Sequence, residues 1–508
     1  MKRFVIAHDL GTSGNKATLF DADGALVGEA FRAFGTEYAH DGWAEQDPDL
    51  WWRAVCDTTR ELLERAGAAR SEIAAIGFSG QMMGCVALAR DGSPLRNAII
   101  WADRRALVQE RWCADRISPD EVYRITGHRL SASNSLCKIL WIRDNEPDLY
   151  ARTHKFVQAK DAVVARLTGR FVTDLSDASG TNLLDLESRT YAGAILTAVD
   201  VDADKLPELL ESTAVVGGVL PSVVEAVGLD AGTPVVIGAG DGACATLGAG
   251  VYAQGRTYCS LGSSAWIALA SSDPLRDPEQ RTFTFAHVVP GLYIPCGTMQ
   301  AAGVSYDWIA GRLGLVPATP ASGSRGQAFE RLNALAARSP AGSRGLIFLP
   351  YLLGERSPRW DLHARGAFIG LTIQHDASDM ARAVAEGVTM NLRLILDAFR
   401  EQGGATGSIR AIGSPAQSTF WLHMMADVFG VPVQKVRHVG NATSLGAAVT
   451  TGVGAGLYPD FDIIDAMNPV GEAIEPDQDA VDTYARALAS FDLAYRALAP
   501  VFATGSEG

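Results

Sequence analysis

The sequence lacks the cysteine spacings of a disulfide scaffold or a zinc site. Its seven cysteines are scattered without any Cys-x-x-Cys pair, and most of them lie within apolar runs. Clustered cysteines are typical of small secreted folds and of structural zinc sites, so both classes are excluded. The scattered pattern instead predicts reduced thiols in the core of a cytoplasmic protein.

Long apolar runs and an excess of positive charge are also absent. The most apolar long stretch, residues 234–253, contains Asp241 and many glycines, whereas a membrane span needs about 18 or more apolar residues without a charge. The apolar run before His8 is too short for a signal peptide. A net charge of −14 argues against binding to nucleic acid or to an anionic membrane surface. We therefore expect a soluble protein with neither kind of partner.

The length of the chain predicts two domains. With 508 residues, 47% of them hydrophobic and 20% charged, the chain exceeds what one ordinary core holds. We predict a first domain over residues 1–243, with a mostly helical insertion at about 125–181. A second domain is expected over residues 244–460, and a tail with a final helix over residues 461–508.

A loop of small residues lies between two apolar runs near the start of the chain. Asp9 precedes Gly11, Thr12 and Ser13 in this loop. Apolar runs on both sides of a glycine-containing loop predict a β-hairpin, and small residues let backbone N–H groups and hydroxyls approach an anion. The Gly-x-x-x-x-Gly-Lys-Ser/Thr loop of P-loop proteins is absent.

The same arrangement recurs near the start of the second half. Gly262 and Ser263 belong to a Leu-Gly-Ser-Ser loop between the apolar runs 257–259 and 265–269. Either copy alone is equally consistent with a simple turn between strands. The repetition predicts two related domains that face each other across a phosphate group.

Two aspartates are candidate catalytic groups. Asp241 stands between Gly240 and Gly242, at the junction of an apolar run and a predicted helix, where its carboxylate is able to accept the proton of a bound hydroxyl. The alternative is a helix-capping aspartate, but the flanking glycines favour close approach of a ligand. Asp9, beside a phosphate loop, is better suited to holding Mg²⁺.

Candidate ligand-binding side chains follow two predicted strands. They are Gln81, Met82, Met83, Trp101 and Asp103. An amide, a carboxylate and an aromatic face are the groups that a polyhydroxy ligand requires. For Asp103 the alternative is a surface ion pair with Arg104 or Arg105.

Two further predictions concern helical segments. The insertion carries a dense polar set, which we expect to cover one side of a cleft: Lys138, Trp141, Lys160, Asp161, Asp177 and Thr181. In the second half, apolar residues at helical spacing predict a helix over 379–399, with Ser378 as its N-cap.

The ordered set of motifs resembles the FGGY carbohydrate kinases, and within that family it is most similar to the xylulokinase branch. The matching segments are 9–14, 43–48 with 51–52, 80–82, Trp101 with Asp103, 138–141, 160–161, 176–181, 240–241, 260–264, 349–356, 366–386 and 445–448. The resemblance implies an α/β fold of two ribonuclease-H-like, actin-type ATPase domains with a deep cleft between them.

The resemblance also implies a function. It is the ATP- and Mg²⁺-dependent phosphorylation of a sugar hydroxyl, with a ketopentose such as D-xylulose giving the 5-phosphate. The implied partners are the sugar and ATP, in the cytoplasm, with a homodimer as a possible assembly. Two alternatives stay open: a kinase for a different ketose, deoxy sugar or small polyol, and a non-catalytic actin-like protein that binds nucleotide or sugar.

Residue roles carry over from the family position by position. Asp241 is implied as the catalytic base, and Asp9 and Asp241 as metal ligands. The implied ATP-binding residues are Gly11, Thr12, Ser13, Gly262, Ser263, Gly413, Ser414 and Ser418. The implied sugar-binding residues are Gln81, Met82, Met83, Trp101, Asp103 and Asp241.

Several residues depart from the branch that the chain resembles. Met83 stands where a histidine is usual, and Ala102 and Gly242 stand where asparagine is common. A site that pairs a hydroxyl discriminates strongly by doing so, and these three polar partners are missing. On the nucleotide side the usual Gly-Gly-Gly-Ala turn reads Gly-Ser-Pro-Ala, and Pro415 has no N–H to donate.

Overall fold

The first half of the chain forms a six-stranded mixed sheet. A computed structural model describes residues 3–316 and 324–504. In spatial order the strands are Val215–Gly218, Pro234–Gly240, Ile73–Gly80, Phe4–Leu10, Gly14–Asp21 and Leu26–Ala33. The predicted first hairpin is present, since Phe4–Leu10 and Gly14–Asp21 pair antiparallel. On its other side Phe4–Leu10 pairs in parallel with Ile73–Gly80.

The second half forms a seven-stranded sheet with the same central arrangement. In spatial order its strands are Phe283–Ala286, Tyr293–Met299, Ala265–Leu269, Thr257–Leu261, Ile409–Ile412, Val433–Val436 and Val470–Ile474. Here too the first strand of an antiparallel hairpin has a parallel neighbour on its other side. Thr257–Leu261 pairs antiparallel with Ala265–Leu269 and in parallel with Ile409–Ile412. The two halves are therefore related α/β units.

Helices and short strand pairs complete both units. The helices of the first half are Pro48–Ala66, Leu107–Ala114, Pro119–Thr126, Ser135–Asn145, Pro147–Arg152, Ala159–Thr168, Leu175–Ser179, Gly193–Val199, Val224–Val227 and Asp241–Gly248. Those of the second half are Gly303–Arg312, Ser324–Ala336, Ala377–Glu401, Thr419–Phe429, Ala442–Gly454, Ile463–Met467 and Gln478–Thr504. The short pairs are Glu45–Gln46 with Ala98–Ile99, Val86–Leu88 with Lys155–Val157, Val172–Asp174 with Glu208–Leu210, Leu184–Asp185 with Thr190–Tyr191, and Ile347–Leu349 with Ala367–Ile369.

Two small-residue helices join the units. Asp241–Gly248 packs against Ala442–Gly454, and glycine permits the close approach: a Cβ atom at Gly446 would lie 1.8 Å from the carbonyl oxygen of Cys244. A buried apolar cluster that includes Val5, Ala447 and residues of both hairpins surrounds this contact. The cluster holds the amino-terminal end of Asp241–Gly248 between the two sheets.

The long helix of the second half begins earlier than its apolar pattern predicts. It runs over Ala377–Glu401, and its N-cap is Asp376 rather than Ser378. The carboxylate of Asp376 accepts the backbone N–H groups of Ser378 and Asp379, while the Asp379 side chain accepts the N–H of Asp376. Among the described helices, none is both long and apolar enough to cross a membrane.

Candidate active site

Two loops of small residues project from equivalent ends of the two hairpins. In the first, the Gly11 N–H donates to the carbonyl of Gly14 at 3.0 Å. In the second, the Gly262 N–H donates to the carbonyl of Ser264 at 2.9 Å. Ser13 and Ser263 are exposed at the tips of these loops. Each loop therefore presents a hydroxyl and free backbone surface to a ligand, as an anion site requires.

Asp9 and Asp241 lie at the carboxyl ends of parallel strands of the first sheet. Asp9 pairs in register with Ser79, and Asp241 directly follows Gly240, which pairs with Gly80. Burial raises the pKa of Asp9 to about 6, against opposing effects of Ser79 and Lys16. Burial and then the charge of Asp9 raise the pKa of Asp241 to about 7, against the Gly242 N–H that its carboxylate accepts at 2.7 Å. The two carboxylates therefore interact.

This pair of carboxylates fits a divalent cation. Two interacting acidic groups with raised pKa values gain stability when a positive charge lies beside them. Within residues 3–316 and 324–504, no group of three His, Cys, Asp or Glu side chains is arranged to hold a metal ion. Mg²⁺ usually takes one or two carboxylates, with water and substrate phosphates as its other ligands. Asp9 and Asp241 match that donor set.

The raised pKa of Asp241 predicts a pH-dependent rate. We expect kcat/KM for Mg–ATP to fall as the pH drops below about 7. A general base must be ionised to accept a proton, and the raised pKa of Asp241 keeps the protonated, inactive form populated up to a higher pH. At saturating Mg–ATP the midpoint of the kcat profile should move to lower pH, since a nearby cation favours the carboxylate. A coupled assay of ADP release from about pH 5 to 9 measures both profiles. A flat kcat/KM profile down to pH 5 would contradict the assignment.

Gln81 and Met82 are placed beside these carboxylates. The Gln81 amide donates to the Gln46 side chain at 2.8 Å, and its buried Oε1 has no hydrogen-bond partner among the described residues. An orphaned buried acceptor is suited to a ligand hydroxyl. The thioether of Met82 packs on the backbone of Gly240, where a Cβ atom would lie 2.6 Å from its sulfur.

Met83 has an unusual backbone conformation for a non-glycine residue. Its φ is +61°, in the left-handed region. The conformation is held by Lys138, whose Nζ donates to the carbonyl of Met83 at 2.7 Å and to that of Ser133 at 2.5 Å. Lys138 is fully buried, and burial lowers its pKa to about 7. Lys138 thus stabilises this loop from the protein interior and does not cover a cleft.

Trp101 and Asp103 differ in solvent exposure and in their partners. The Trp101 ring is 40% exposed, and its Nε1–H donates to the Thr12 hydroxyl at 2.9 Å, which links it to the first small-residue loop. Asp103 is fully buried; its carboxylate accepts the N–H of Ala44 at 2.6 Å and the Arg105 guanidinium at 2.7 Å. Asp103 therefore forms an ion pair with Arg105, as the alternative interpretation expected, but the pair is buried and not at the surface, and these internal partners occupy the Asp103 carboxylate.

The residues expected to bind nucleotide are grouped around the second loop. Gly413 has a φ of +89°, and a Cβ atom there would lie 2.0 Å from the carbonyl oxygen of Leu261, so only glycine fits. Ser414 begins the 3₁₀ turn Ser414–Gln417, in whose first turn Pro415 loses no hydrogen bond. Ser418 is the N-cap residue of Thr419–Phe429 and accepts a hydrogen bond from Asn333 at 3.1 Å.

The polar set of the insertion is largely a buried ion cluster. Lys160, Asp161 and Asp177 are fully buried, so the expectation that they cover a cleft is wrong. The Lys160 Nζ lies 2.7, 2.9 and 3.0 Å from oxygens of Asp161, Asp174 and Asp177. Asp174 also accepts the hydroxyl of Ser176 at 2.5 Å. That hydroxyl accepts the Gly240 N–H at 3.0 Å, so the cluster fixes the backbone directly before Asp241.

Sequence reasoning missed the aromatic side chains near Asp241. A Cβ atom at Gly242 would lie 3.3 Å from the Trp266 ring, which occupies the space where a larger side chain at 242 would extend. The rings of Trp266 and Phe285 stack at 6.1 Å. Both rings belong to strands of the second sheet, and the approach of Trp266 to Gly242 joins that sheet to the helix Asp241–Gly248 of the first half. The available signal was the position of Trp266 directly after the second small-residue loop.

Comparisons with known proteins agree with this architecture. The model of the FGGY family of carbohydrate kinases, N-terminal domain, matches residues 4–248, and the C-terminal domain model matches residues 257–455. A xylulose kinase of Bacillus subtilis is 33% identical over 456 residues, or 90% of this chain and 89% of that protein. These matches confirm the family resemblance seen in the sequence.

Solved structures share the fold over almost the whole chain. The xylulose kinase from Rhodospirillum rubrum superposes with a TM-score of 0.91 at 30% identity, covering 98% of this chain and 100% of that one. The gluconate kinase from Lactobacillus acidophilus also superposes with a TM-score of 0.91, at 29% identity over 99% of each chain. The predicted fold of two actin-type α/β domains is therefore confirmed.

Proposed function

Because the chain belongs to the FGGY family of carbohydrate kinases and catalyses the ATP-dependent phosphorylation of a sugar, we propose that its acceptor is a ketopentose, with D-xylulose giving the 5-phosphate as the first candidate. The observation that carries this choice is the near full-length similarity to a protein named xylulose kinase, at 33% identity. Such identity supports a common chemistry and leaves the acceptor pocket free to vary.

We propose that Asp241 is the base that removes the proton from the attacking hydroxyl. Its position next to a phosphate-binding loop and its raised pKa, about 7, suit that role near neutral pH. The sugar oxygen then bonds to the γ-phosphorus of ATP, the bond from that phosphorus to the bridging oxygen breaks, and ADP leaves with the bond electrons. The proton on Asp241 passes to solvent.

The other expected residues take supporting roles in this proposal. Thr12, Ser13, Gly262 and Ser263 hold the phosphates with Gly11, and Gly413, Ser414 and Ser418 border the adenosine. Asp9 and Asp241 hold Mg²⁺, which when bound neutralises charge on the transferring phosphoryl group. Gln81, Met82, Met83, Trp101 and Asp103 form or support the sugar side. We also propose the domain limits 1–243, 244–460 and 461–508, a cytoplasmic location and a homodimer.

A second candidate differs only in the acceptor. Met83 offers a thioether where a histidine would donate to a sugar oxygen, and Gly242 offers no side chain. Their combination supports a different ketose, a deoxy sugar or a small polyol as the preferred acceptor. A non-catalytic role is less favoured, since both carboxylates of the expected reaction are present.

A panel of acceptors tests the proposed function. We expect purified enzyme with Mg–ATP to release ADP only when a sugar or polyol is added, and kcat/KM for D-xylulose, D-ribulose, xylitol, erythritol and deoxyketoses to rank the acceptors. The kcat/KM for D-xylulose should exceed that for the other neutral ketoses by about tenfold or more if the acceptor pocket pairs every hydroxyl of D-xylulose. ADP release in the absence of an acceptor, or no ADP release with any acceptor of the panel, would overturn the proposal.

A further inference from the structure

A chain of hydrogen bonds joins three segments beside the second small-residue loop. The Tyr306 hydroxyl donates to the side-chain oxygen of Asn333 at 2.7 Å, and the side-chain N–H of Asn333 donates to the Ser418 hydroxyl at 3.1 Å. Tyr306 lies in the helix Gly303–Arg312 and Asn333 in the helix Ser324–Ala336. None of the sequence motifs brings these three residues together, so the contact arises only in the fold.

Both ends of this chain adjoin residues that we assign to the nucleotide. The helix that carries Tyr306 begins against the second loop, where the N–H of Gly303 donates to the carbonyl of Gly262 at 2.9 Å. A Cβ atom at Gly303 would lie 2.4 Å from that carbonyl oxygen, so the contact is close. At the other end, Ser418 follows the 3₁₀ turn that begins after Gly413. The chain therefore extends from the phosphate side of the proposed ATP site to its adenosine side.

The direction of these bonds fixes the polarity of the Ser418 hydroxyl. The Tyr306 O–H donates to the amide oxygen of Asn333, which turns the amide N–H groups toward Ser418. The Ser418 oxygen therefore accepts, and within residues 3–316 and 324–504 its hydrogen is donated to no protein acceptor. Because Ser418 is half-buried, this hydrogen is available to a ligand atom that carries a lone pair.

Packing holds both ends of the chain before a nucleotide binds. Tyr306 is buried, and its ring meets the Trp421 ring edge to face, with 5.2 Å between the ring centres. Trp421 is also buried and belongs to the helix that directly follows Ser418. Tyr306 and Ser418 are thus anchored on packed helices. Losing one hydrogen bond between them should change the orientation of the Asn333 amide and leave the helices in place.

We propose that Tyr306 and Asn333 are positioning residues for the nucleotide, and that they make the Ser418 hydroxyl a hydrogen-bond donor to the nucleoside of ATP. The accepting atom is a ring nitrogen of the base or a hydroxyl oxygen of the ribose, since both carry the lone pair that a donor requires. The inference rests on the proposed placement of ATP at the second loop and adds the polarity of one contact to it.

Replacing Asn333 by aspartate tests this polarity with little change of shape. A carboxylate only accepts, so it takes the Ser418 hydrogen and leaves the nucleotide without its donor. We expect Asn333→Asp and Ser418→Ala each to raise the KM for ATP by about three- to tenfold. Tyr306→Phe, which frees the amide to turn, should raise it by about two- to fivefold. The kcat and the KM for the sugar should stay within about twofold, since the contact is the same in ground and transition states.

Double substitutions separate the lost donor from the added charge. With Ser418→Ala already present, Asn333→Asp or Tyr306→Phe should raise the KM for ATP by less than about twofold more, because the donor that they orient is gone. Repulsion between a new carboxylate and ATP would raise the KM equally in both backgrounds, and that result would overturn the inference. Ser188→Ala, at an exposed serine of the first half, is the control. Thermal unfolding of each variant checks that it folds.

ATP analogues identify the accepting atom. Wild type and Ser418→Ala are compared with 1-deaza-, 3-deaza- and 7-deaza-ATP and with 2′-deoxy- and 3′-deoxy-ATP. The analogue without the accepting atom should have a KM about three- to tenfold above that of ATP in wild type, with no further rise in Ser418→Ala. An unchanged KM for ATP in Ser418→Ala, or the same rise with every analogue, would overturn the inference and leave the kinase intact. No ADP release by wild type with any acceptor would overturn the proposed function itself.

Discussion

Replacing Asp241 by asparagine is expected to lower kcat by about 10²- to 10⁴-fold, the range that general base catalysis contributes. The amide matches the carboxylate in shape but cannot accept the proton. The KM for ATP should change little, because the phosphate loops and the Gly413 turn remain. Initial rates of ADP release with and without the best acceptor measure the effect.

Stability provides the control for this variant. Burial and the charge of Asp9 disfavour the ionised form of Asp241 and raise its pKa from the ordinary 3.8 to about 7, so stability falls as the pH rises between these two values and stays lowered above pH 7. A neutral amide removes that penalty, and the midpoint of thermal unfolding at pH 8 should rise. Asp148→Asn, at an exposed aspartate in the first turn of another helix, should alter neither rate nor stability. A kcat within tenfold of the wild-type value would exclude Asp241 as the base.

Local patterns predicted the elements that carry the site. Both hairpins follow from apolar runs that flank a small-residue loop, and the repeat of that pattern predicted two related sheets. The long helix was recognised from its spacing, but its start was misplaced by two residues because Asp376 and Ser378 are both good capping residues. Only the geometry of the carboxylate decides between them.

Long-range burial could not be predicted from the sequence. Asp103 and Lys160 were predicted to face a ligand. Each has a partner nearby in sequence, Arg105 and Asp161, but distant partners complete their burial: Asp103 also accepts from Ala44, and Lys160 is also paired with Asp174 and Asp177. Whether such a charge faces a cleft or a buried partner depends on how distant segments pack. The same reason hid Trp266, whose contact with Gly242 crosses from one sheet to the other unit.

The buried cluster carries the largest expected effect on stability. Lys160→Met should lower the free energy of unfolding by about 3–5 kcal/mol, because it leaves the negatively charged cluster of Asp161, Asp174 and Asp177 buried without its cation. Burial opposes the charge of Lys160, but these carboxylates outweigh it and raise its pKa well above the usual value. Urea unfolding at pH 7.5 or so measures the loss.

Asp177→Asn is the matched comparison within the same cluster. Burial raises the pKa of Asp177 well above its ordinary range, opposed by Lys160 and reinforced by Asp161 and Asp174, so the surroundings favour the uncharged form and a neutral amide replaces it at little cost. We expect a change below about 1 kcal/mol for Asp177→Asn alone, and partial recovery of stability when it is combined with Lys160→Met.

Because Asp174 holds Ser176, whose hydroxyl accepts the Gly240 N–H, Lys160→Met should also lower kcat more than KM. A Lys160→Met variant as stable as wild type would show that the stability of the cluster does not depend on its cation. An unchanged kcat in the folded variant would show that the cluster does not position Asp241.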